Sequence, residues 1–258
     1  MKMQLLGSSV GQEEEDQFLT SFLVDGSLAI DAGSLGLQAM EIQLAVTDVL
    51  LTHSHVDHLA TLPVFLENRL GPERIEPLRV WANESVAAAL QTDLFNGRLW
   101  PDFLHLEHGG VPIMDLRILT PEVPTQIGRH RVTAVRVDHP VATDGFFLET
   151  SEARVCIVGD TGPTERIWEF ARVGRLDGVF LEASFPDDLQ ELAKLTGHLT
   201  PRLFAGELDK IGRDVAVIAF HIKARHRMQV EGELRALSRP TLRIGRSTEV
   251  YTFPWAPA

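Results

Sequence analysis

Three histidines and one aspartate lie within six consecutive residues, as His53, His55, Asp57 and His58. Neutral imidazole and carboxylate are ligands that zinc and similar divalent ions prefer. In an extended segment the side chains of positions 53 and 55 point the same way, so both can reach one ion. Asp57 and His58 then lie at a loop-to-helix turn and face a second position nearby. We interpret the run as a metal site; a polar loop with incidental histidines is the simpler alternative.

Short apolar runs separated by turn residues predict the elements that position this run. Residues 48–52 are typical of a buried strand that leads directly into His53, and Asp25-Gly26 is a hairpin signal between two apolar runs. Residues 96–125 are rich in Pro and Gly and are interpreted as a loop. Further strands are predicted at 131–137, 155–158, 178–181 and 215–220, and helices at 59–68, 84–95, 163–173, 187–195 and 201–211.

The chain has 258 residues, of which 44% are hydrophobic and 23% charged, and this ordinary globular composition excludes a disordered chain or a coiled coil. We predict a single domain over residues 1–258. Strands followed by helices recur on either side of residue 125, which predicts two pseudo-halves, about 1–125 and 126–258, and two sheets sandwiched between helices. The one cysteine, Cys156, excludes an internal disulfide framework and a cysteine-based zinc cluster, and we expect it in the core.

The 24 Lys and Arg against 36 Asp and Glu give a formal charge of −12. Because binding of long nucleic acids is driven by Lys and Arg, this charge argues against an extended nucleic acid as partner. The N-terminal residues lack the apolar run of about 7–15 residues that a signal peptide needs, and no stretch approaches about 18 uninterrupted apolar residues. We therefore expect no membrane partner and a cytoplasmic location; the sequence leaves open whether the chain forms a homodimer.

The run His53-Ser-His55-Val-Asp57-His58 resembles the His-x-His-x-Asp-His hallmark of the metallo-β-lactamase superfamily. The resemblance implies an α+β fold, a four-layer αββα sandwich of two mixed sheets flanked by helices. It covers most of the chain, because Asp31, His139, Asp160 and His221 follow predicted strands in the family's order.

The resemblance also implies a dinuclear metal site. Asp31 would support it by orienting a ligand through its imidazole, and the alternative is a turn aspartate. Such sites accept Zn²⁺, Mn²⁺ or Fe²⁺ according to supply, and two ions suit the hydrolysis of phosphoesters particularly well. The implied ligands are His53, His55 and His139 for one ion, Asp57, His58 and His221 for the other, and Asp160 as a bridge between them.

Three further stretches are similar to class II 3′,5′-cyclic-nucleotide phosphodiesterases. Residues 59–63 continue the metal run as in that family, although Val56 stands where its motif has Leu. Residues 180–185 resemble its Glu-x-Ser-Phe segment. Residues 196–201 resemble its Gly-His-Leu-Thr-Pro motif, which is the most specific of the three.

The resemblance gives His198 and Glu182 a catalytic role beside Asp57. His198, just before a helix start that Thr200 would cap, would stabilise the phosphorane-like state or donate a proton to the leaving 3′ oxygen, and Glu182 would hold its imidazole. The implied activity is hydrolysis of 3′,5′-cyclic nucleotides, cyclic AMP first, to 5′-monophosphates. The simpler alternatives are a histidine that shapes a turn and a surface glutamate.

A ribonuclease Z-like tRNA 3′-endonuclease shares all the metal motifs and is the main alternative. Such enzymes usually carry a Gly/Lys-rich arm for tRNA, and no stretch here resembles one. A flavodiiron oxidoreductase is disfavoured by His55, where that class has Glu, and a non-catalytic relative by the full set of ligands. A hydrolase of another ester stays open.

The remaining histidines and one basic run receive plainer interpretations. His105 and His108 are expected in a polar surface loop, and His130 at a solvated turn. The basic run from Lys223 to Arg227 is expected to be a solvated helix face, with attraction of a phosphate as the alternative.

Overall fold

The computed structural model describes residues 1–8, 18–71, 76–247 and 249–255. The chain divides into two compact units: the N-terminal unit spans Lys2–Thr120, and the C-terminal unit spans Pro121–Ala258 together with Met1. The sequence places the boundary between its pseudo-halves near residue 125, and the single domain over residues 1–258 stays a prediction.

The N-terminal unit contains a mixed sheet in which the strands pair in the order β1-β2-β3-β4-β5-β8. The pairs among β1, β2 and β3 are antiparallel, and those from β3 to β8 are parallel. Its elements are β1 (Lys2–Leu5), β2 (Phe22–Val24), β3 (Leu28–Ile30), α1 (Met40–Ala45), β4 (Asp48–Leu50), α2 (Val56–Leu59), α3 (Leu62–Asn68), β5 (Leu78–Ala82), α4 (Glu84–Ala89), β6 (Glu107–His108), β7 (Val111–Pro112) and β8 (Met114–Ile118).

The C-terminal unit repeats this change from antiparallel to parallel pairing, with the strand order β15-β14-β13-β12-β11-β10-β9. The pairs from β9 to β12 are antiparallel, and those from β12 to β15 are parallel. Its elements are β9 (Thr125–Ile127), β10 (His130–Val137), β11 (Thr143–Glu149), β12 (Arg154–Ile157), α5 (Arg166–Arg172), β13 (Gly178–Glu182), α6 (Gln190–Thr196), α7 (Pro201–Ile211), β14 (Ala216–Phe220), α8 (Arg227–Ala236), β15 (Leu242–Ile244) and β16 (Val250–Thr252).

Each unit has its own apolar core. Val49, Leu51 and Phe65 belong to the core of the N-terminal unit, and Trp168 and Phe204 to that of the C-terminal unit. The central parallel strands β4 and β13 are buried along their whole length. Consecutive apolar residues, as at positions 49–50 and 179–181, are therefore expected in them, because a parallel strand covered on both faces needs no polar alternation.

The predicted site residues follow the carboxyl ends of strands that run in the same direction. In the N-terminal unit β3 is parallel to β4, and these strands lead to Asp31 and His53. In the C-terminal unit β12, β13 and β14 are parallel, and β10 shares their direction because two antiparallel pairs separate it from β12. Each sheet therefore collects polar residues at one edge, which is where open α/β sheets bind ligands. The residues at that edge of the C-terminal sheet are His139, Asp160, Glu182 and His221.

The predicted α+β class with two mixed sheets is confirmed, and some predicted elements change. The helix Pro201–Ile211 has the predicted bounds. Of the helix predicted over 59–68, Leu59 is the last residue of α2, and residues 62–68 form α3, which has Pro63 in its first turn, where the missing N–H is tolerated. Within the helix predicted over 84–95, α4 ends at Ala89 and a π-helical turn continues it over Leu90–Leu94. The loop interpretation of residues 96–125 is wrong for β6, β7 and β8, which lie within that range.

Two further sequence expectations can be compared with the described residues. Cys156 is buried in the core, as predicted. Among the described residues, no helix is long and apolar enough to cross a membrane.

The Asp25-Gly26 hairpin turn gives a test of the fold. Gly26 has a φ of +77°, so Gly26→Ala is expected to lower the free energy of unfolding by about 1–2 kcal/mol, the cost of a Cβ in the left-handed region. Gly232→Ala makes the same chemical change inside α8, where nothing lies within 4 Å of the added Cβ. It is expected to raise the free energy of unfolding by about 0.5–1 kcal/mol. Urea unfolding of both variants measures the difference, and equal effects would contradict the turn geometry.

Candidate metal centre

The histidine run of the N-terminal unit connects β4 to α2. His53 is fully buried, and His55 is extended and immediately precedes α2. Asp57 and His58 lie in that short helix, with Asp57 half-buried and His58 fully buried. The ring centroid of His53 lies 4.7 Å from that of His55 and 4.1 Å from that of His58. The unit therefore gathers all three imidazoles of the run.

Backbone contacts hold this run against the segment that follows β3. The N–H of Ala32 donates to the carbonyl oxygen of His58 at 2.8 Å. A Cβ at Gly33 would overlap the carbonyl oxygen of Asp57 and lie 2.7 Å from backbone atoms of Thr20. Only glycine allows this approach, so Gly33, two residues after Asp31, is a packing requirement of the site.

The buried carboxylate of Asp31 organises two imidazoles. Its Oδ2 lies 2.6 Å from Nδ1 of His58, and the Thr52 hydroxyl donates to the same carboxylate, 2.8 Å from Oδ2. Because that hydroxyl proton is already used, Thr52 Oγ1 accepts from Nδ1–H of His53, 3.0 Å away. Both histidines therefore carry hydrogen on Nδ1 and present the Nε2 lone pair, the form of imidazole that binds a metal.

The C-terminal unit gathers a second group. One ligand atom from each of His139, Asp160 and His198 lies within 4.8 Å of the others. Nδ1 of His139 lies 2.8 Å from the carbonyl oxygen of Gly197. Because a carbonyl only accepts, Nδ1 of His139 carries the hydrogen and Nε2 presents its lone pair. Asp160 Oδ1 also lies 2.7 Å from Nδ1 of His221, so Asp160 stands at the centre of the group.

Glu182 is fully buried at the end of β13 and orients His198. Its Oε1 lies 2.6 Å from Nδ1 of His198 and accepts the N–H of Thr161 at 3.1 Å. Its Oε2 accepts the N–H of Ser184 at 3.1 Å and that of Leu199 at 3.3 Å. These hydrogen bonds compensate for the burial of the carboxylate and fix the imidazole.

The surroundings of His198 favour its cationic form. Burial of the ring opposes a positive charge, but the charge and hydrogen bond of Glu182 and the charge of Asp160 hold the pKa of His198 above its usual value. The ring stands just before Thr200, the N-cap of α7, whose hydroxyl accepts from the N–H of Leu203. The N-terminus of this helix carries partial positive charge, so the arrangement suits an anion.

Lys223 does not lie on a solvated helix face, so that interpretation of the basic run is wrong for this residue. Its Nζ lies 2.8 Å from Nε2 of His221 and can only donate. Nε2 of His221 is therefore the acceptor, and its Nδ1–H donates to Asp160. A metal ion on either ring nitrogen would replace one of these two contacts.

The donors of both units fit divalent metal ions. They combine imidazole nitrogens with the carboxylates of Asp57 and Asp160, and a neighbouring oxygen sets the tautomer of His53, His58 and His139. The Cys156 thiol is not a competing ligand, because burial raises its pKa far above its usual value. This donor set suits Zn²⁺, Mn²⁺ and Fe²⁺ alike.

Three residues support the site without having been predicted to do so; two of them, Gly197 and Ser184, lie in the phosphodiesterase-like stretches 196–201 and 180–185. The Thr52 hydroxyl connects the Asp31 carboxylate to His53 by hydrogen bonds. The carbonyl of Gly197 orients His139, and the Ser184 hydroxyl donates to the His221 carbonyl at 2.9 Å. Thr52 has one sequence signal, its position between a buried strand and the first histidine of the run. Gly197 lies in the stretch 196–201, but the role of its carbonyl could not be predicted, because a backbone acceptor leaves no side-chain signature.

Among the described residues, the metal-ligand groups do not include His105, His108 or His130. His105 is exposed, with Nδ1 2.8 Å from Asp102 Oδ2, and His108 is 2.8 Å from the carbonyl oxygen of Gly71. His130 is buried, so the expectation of a solvated turn is wrong. The reason is that β10 begins at His130 and includes its side chain in the packed sheet.

Comparisons with known proteins identify relatives that match most of the chain. A family model described as a beta-lactamase superfamily domain matches residues 21–222. Ribonuclease Z of Pyrobaculum calidifontis is 28% identical over 88% of this chain and 88% of its own. 3′,5′-Cyclic-nucleotide phosphodiesterase 1 of Saccharomyces cerevisiae is 24% identical over 82% of this chain and 68% of its own. The structure of unliganded yeast PDE1 matches with a TM-score of 0.76 and 19% identity, covering 95% of this chain and 96% of that one.

The Asp31–Thr52–His53 relay can be tested by metal binding alone. Thr52→Val is expected to lower the affinity for Zn²⁺ by about 10–100-fold, because it removes the hydroxyl through which Asp31 holds His53. Thr47→Val is the control, since Thr47 is exposed and makes no contact with the histidine run in the same unit. Competition with a chelating dye measures both affinities, and equal values would contradict the relay.

Proposed function

Because the chain belongs to the beta-lactamase superfamily and is a metal-dependent hydrolase, we propose that it is a phosphodiesterase converting 3′,5′-cyclic nucleotides, cyclic AMP first, to 5′-monophosphates. The observation that carries the proposal is the Glu182–His198 pair at the start of α7, beside Asp160. A cationic imidazole at a helix N-terminus is suited to a phosphate group. The similarity of residues 196–201 to the cyclic-nucleotide phosphodiesterase motif supports the same substrate.

The proposal keeps the metal assignment that the resemblance implies. In it, Asp31 orients His58 directly and His53 through Thr52. Two divalent ions would supply an activated water and stabilise negative charge that develops on the phosphate. Their ligands would be His53, His55 and His139 for one ion, Asp57, His58 and His221 for the other, and Asp160 for both.

His198 would act on the substrate rather than on a metal. Its Nδ1–H is directed to Glu182, so the proton available for transfer lies on Nε2. Because the pKa of His198 is raised, a larger fraction of the ring is protonated near neutral pH than for an ordinary histidine. The cation can stabilise charge on the phosphate and donate its proton to the leaving 3′ oxygen. Glu182 keeps the imidazole oriented through both states.

A ribonuclease Z-like activity on tRNA precursors is the second candidate, favoured by the 28% identity to the Pyrobaculum enzyme. The net charge of −12 supports the smaller substrate, because an acidic body repels a polyanion along its whole length. A single phosphate group needs positive charge only where it binds. The proposal therefore includes a cyclic nucleotide as partner and neither an extended nucleic acid nor a membrane, and the cytoplasmic location stays a prediction.

A product assay distinguishes the two candidates. Protein reconstituted with Mn²⁺ or Zn²⁺ is expected to convert cyclic AMP to 5′-AMP and to leave a tRNA precursor intact. Chromatography identifies the products, with metal content measured on the same preparation. The 5′-isomer is expected because the 3′ oxygen is the leaving group. Inertness toward cyclic AMP and cyclic GMP, alongside cleavage of the tRNA precursor or another ester, would overturn the proposal.

Two alanine variants separate metal binding from catalysis. Asp160→Ala is expected to lose both bound metal and turnover, because it removes the carboxylate assigned to both ions. His198→Ala is expected to keep its metal while kcat falls by about 10²–10⁴-fold, the usual contribution of a general acid. His105→Ala, at an exposed histidine, should change neither quantity. Metal analysis of each purified variant decides the role of His198, since loss of metal there would make it a ligand.

A further inference from the structure

The C-terminal unit contains a cavity of about 510 Å³ whose lining shares no residue with the candidate metal centre. It lies at the end of α8 and along β15, and its volume is within the range of about 300–1,000 Å³ typical of small-molecule sites. Leu234 and Leu242 contribute to an apolar wall. Four arginines dominate the polar lining: Arg235, Arg239, Arg243 and Arg246.

The charge of this segment is opposite to that of the rest of the chain. Residues 234–249 contain four Arg, no Lys and one acid, Glu249, so their formal charge is 4 − 1 = +3. The whole chain carries −12, which leaves −12 − 3 = −15 for all other residues. Guanidinium groups are therefore concentrated around one cavity of an otherwise acidic protein.

Two of the arginines are held by one buried carboxylate. Arg235 Nη2 donates to Glu231 Oε2 at 2.6 Å, and Arg246 contacts both oxygens of Glu231 at 3.0 Å. Arg227 also donates to Glu231, at 2.9 Å. Three arginines thus share the single negative charge of Glu231, so these four residues together carry a net positive charge. Because their side chains are already ordered, binding an anion costs these arginines less conformational entropy.

The other two arginines are positioned differently. Arg239 Nη2 donates to Asp209 at 2.6 Å, which uses one of the five N–H donors of a guanidinium. Arg243 lies over the ring of Trp255, 4.5 Å from its centroid, and is exposed. A guanidinium stacked on an aromatic ring keeps the N–H groups at its edge available for bidentate contacts.

We propose that this cavity binds a small organic phosphate, with Arg239 and Arg243 on the phosphate and the apolar wall on the organic part. Guanidinium groups match the geometry of phosphate oxygens in paired hydrogen bonds. The apolar wall favours an organic phosphate over inorganic phosphate, and the concave shape favours a small molecule over RNA. The site is independent of the proposed function, since none of its residues is assigned to the metal centre.

Calorimetric titration with 5′-AMP tests the proposal, using the full chain in EDTA so that metals do not contribute. Saturable binding to one site is expected, and it should persist in Asp160→Ala. The double variant Arg239→Gln/Arg243→Gln is expected to lose at least about tenfold in affinity, because each guanidinium bond to a phosphate is a strong, charge-assisted one. The control Arg98→Gln/Arg131→Gln removes the same charge at two exposed arginines outside the cavity and should bind as the wild type does.

Several results would overturn the site. They are an absence of 5′-AMP binding, equal affinities of the two double variants, or loss of binding in Asp160→Ala, which would place the ligand at the metal centre. Inorganic phosphate bound as tightly as 5′-AMP, or tRNA bound in its place, would contradict the ligand class. Thermal unfolding checks that each variant is folded. If the Arg239→Gln/Arg243→Gln protein is not, Arg243→Gln alone decides, because Arg243 stacks on Trp255 at the surface.

Discussion

The candidate site depends on which ring nitrogen each histidine presents, and buried acceptor oxygens decide this. A neutral imidazole has one donor and one acceptor nitrogen, and only the acceptor can bind a metal. Asp31 fixes the choice for His58 directly and for His53 through Thr52. In the C-terminal unit, a backbone carbonyl makes the same choice for His139. The ligand geometry is therefore set one layer away from the ligands themselves.

These acceptors require a particular backbone around them. A buried carboxylate is unfavourable unless hydrogen bonds replace its hydration, and Glu182 receives them from three backbone N–H groups and His198. Asp31 and His221 adopt φ of +59° and +55°, a left-handed conformation that costs of order 1–3 kcal/mol for residues other than glycine. Both follow strands that are buried almost throughout. The packing of these strands is what offsets local strain at these two residues of the candidate site.

The same distinction explains how much could be predicted from the sequence. Signals that are local in the chain gave correct elements: Thr200 and Pro201 mark the start of α7, and its bounds are those expected. The predicted ligands follow strand ends, so the pairing of parallel strands gathers those of each unit at one sheet edge. The contact of Lys223 with His221 depends on the turn after β14, and the burial of His130 depends on where β10 begins. Residue type and spacing carry no information on either, because both are set by tertiary packing.

The net charge of −12 disfavours the binding of a large anionic ligand more than that of a small one. Repulsion from an acidic body adds up over every phosphate of a polyanion that lies within a Debye length, about 8–10 Å at ordinary salt concentrations. A small phosphate ester is bound by contact, and contact is governed by the charges immediately around it. Burial opposes a positive charge on the His198 ring, yet the neighbouring carboxylates of Glu182 and Asp160 raise its pKa above the usual value. Local pairing therefore sets the charge that a small phosphate ester would meet at this site.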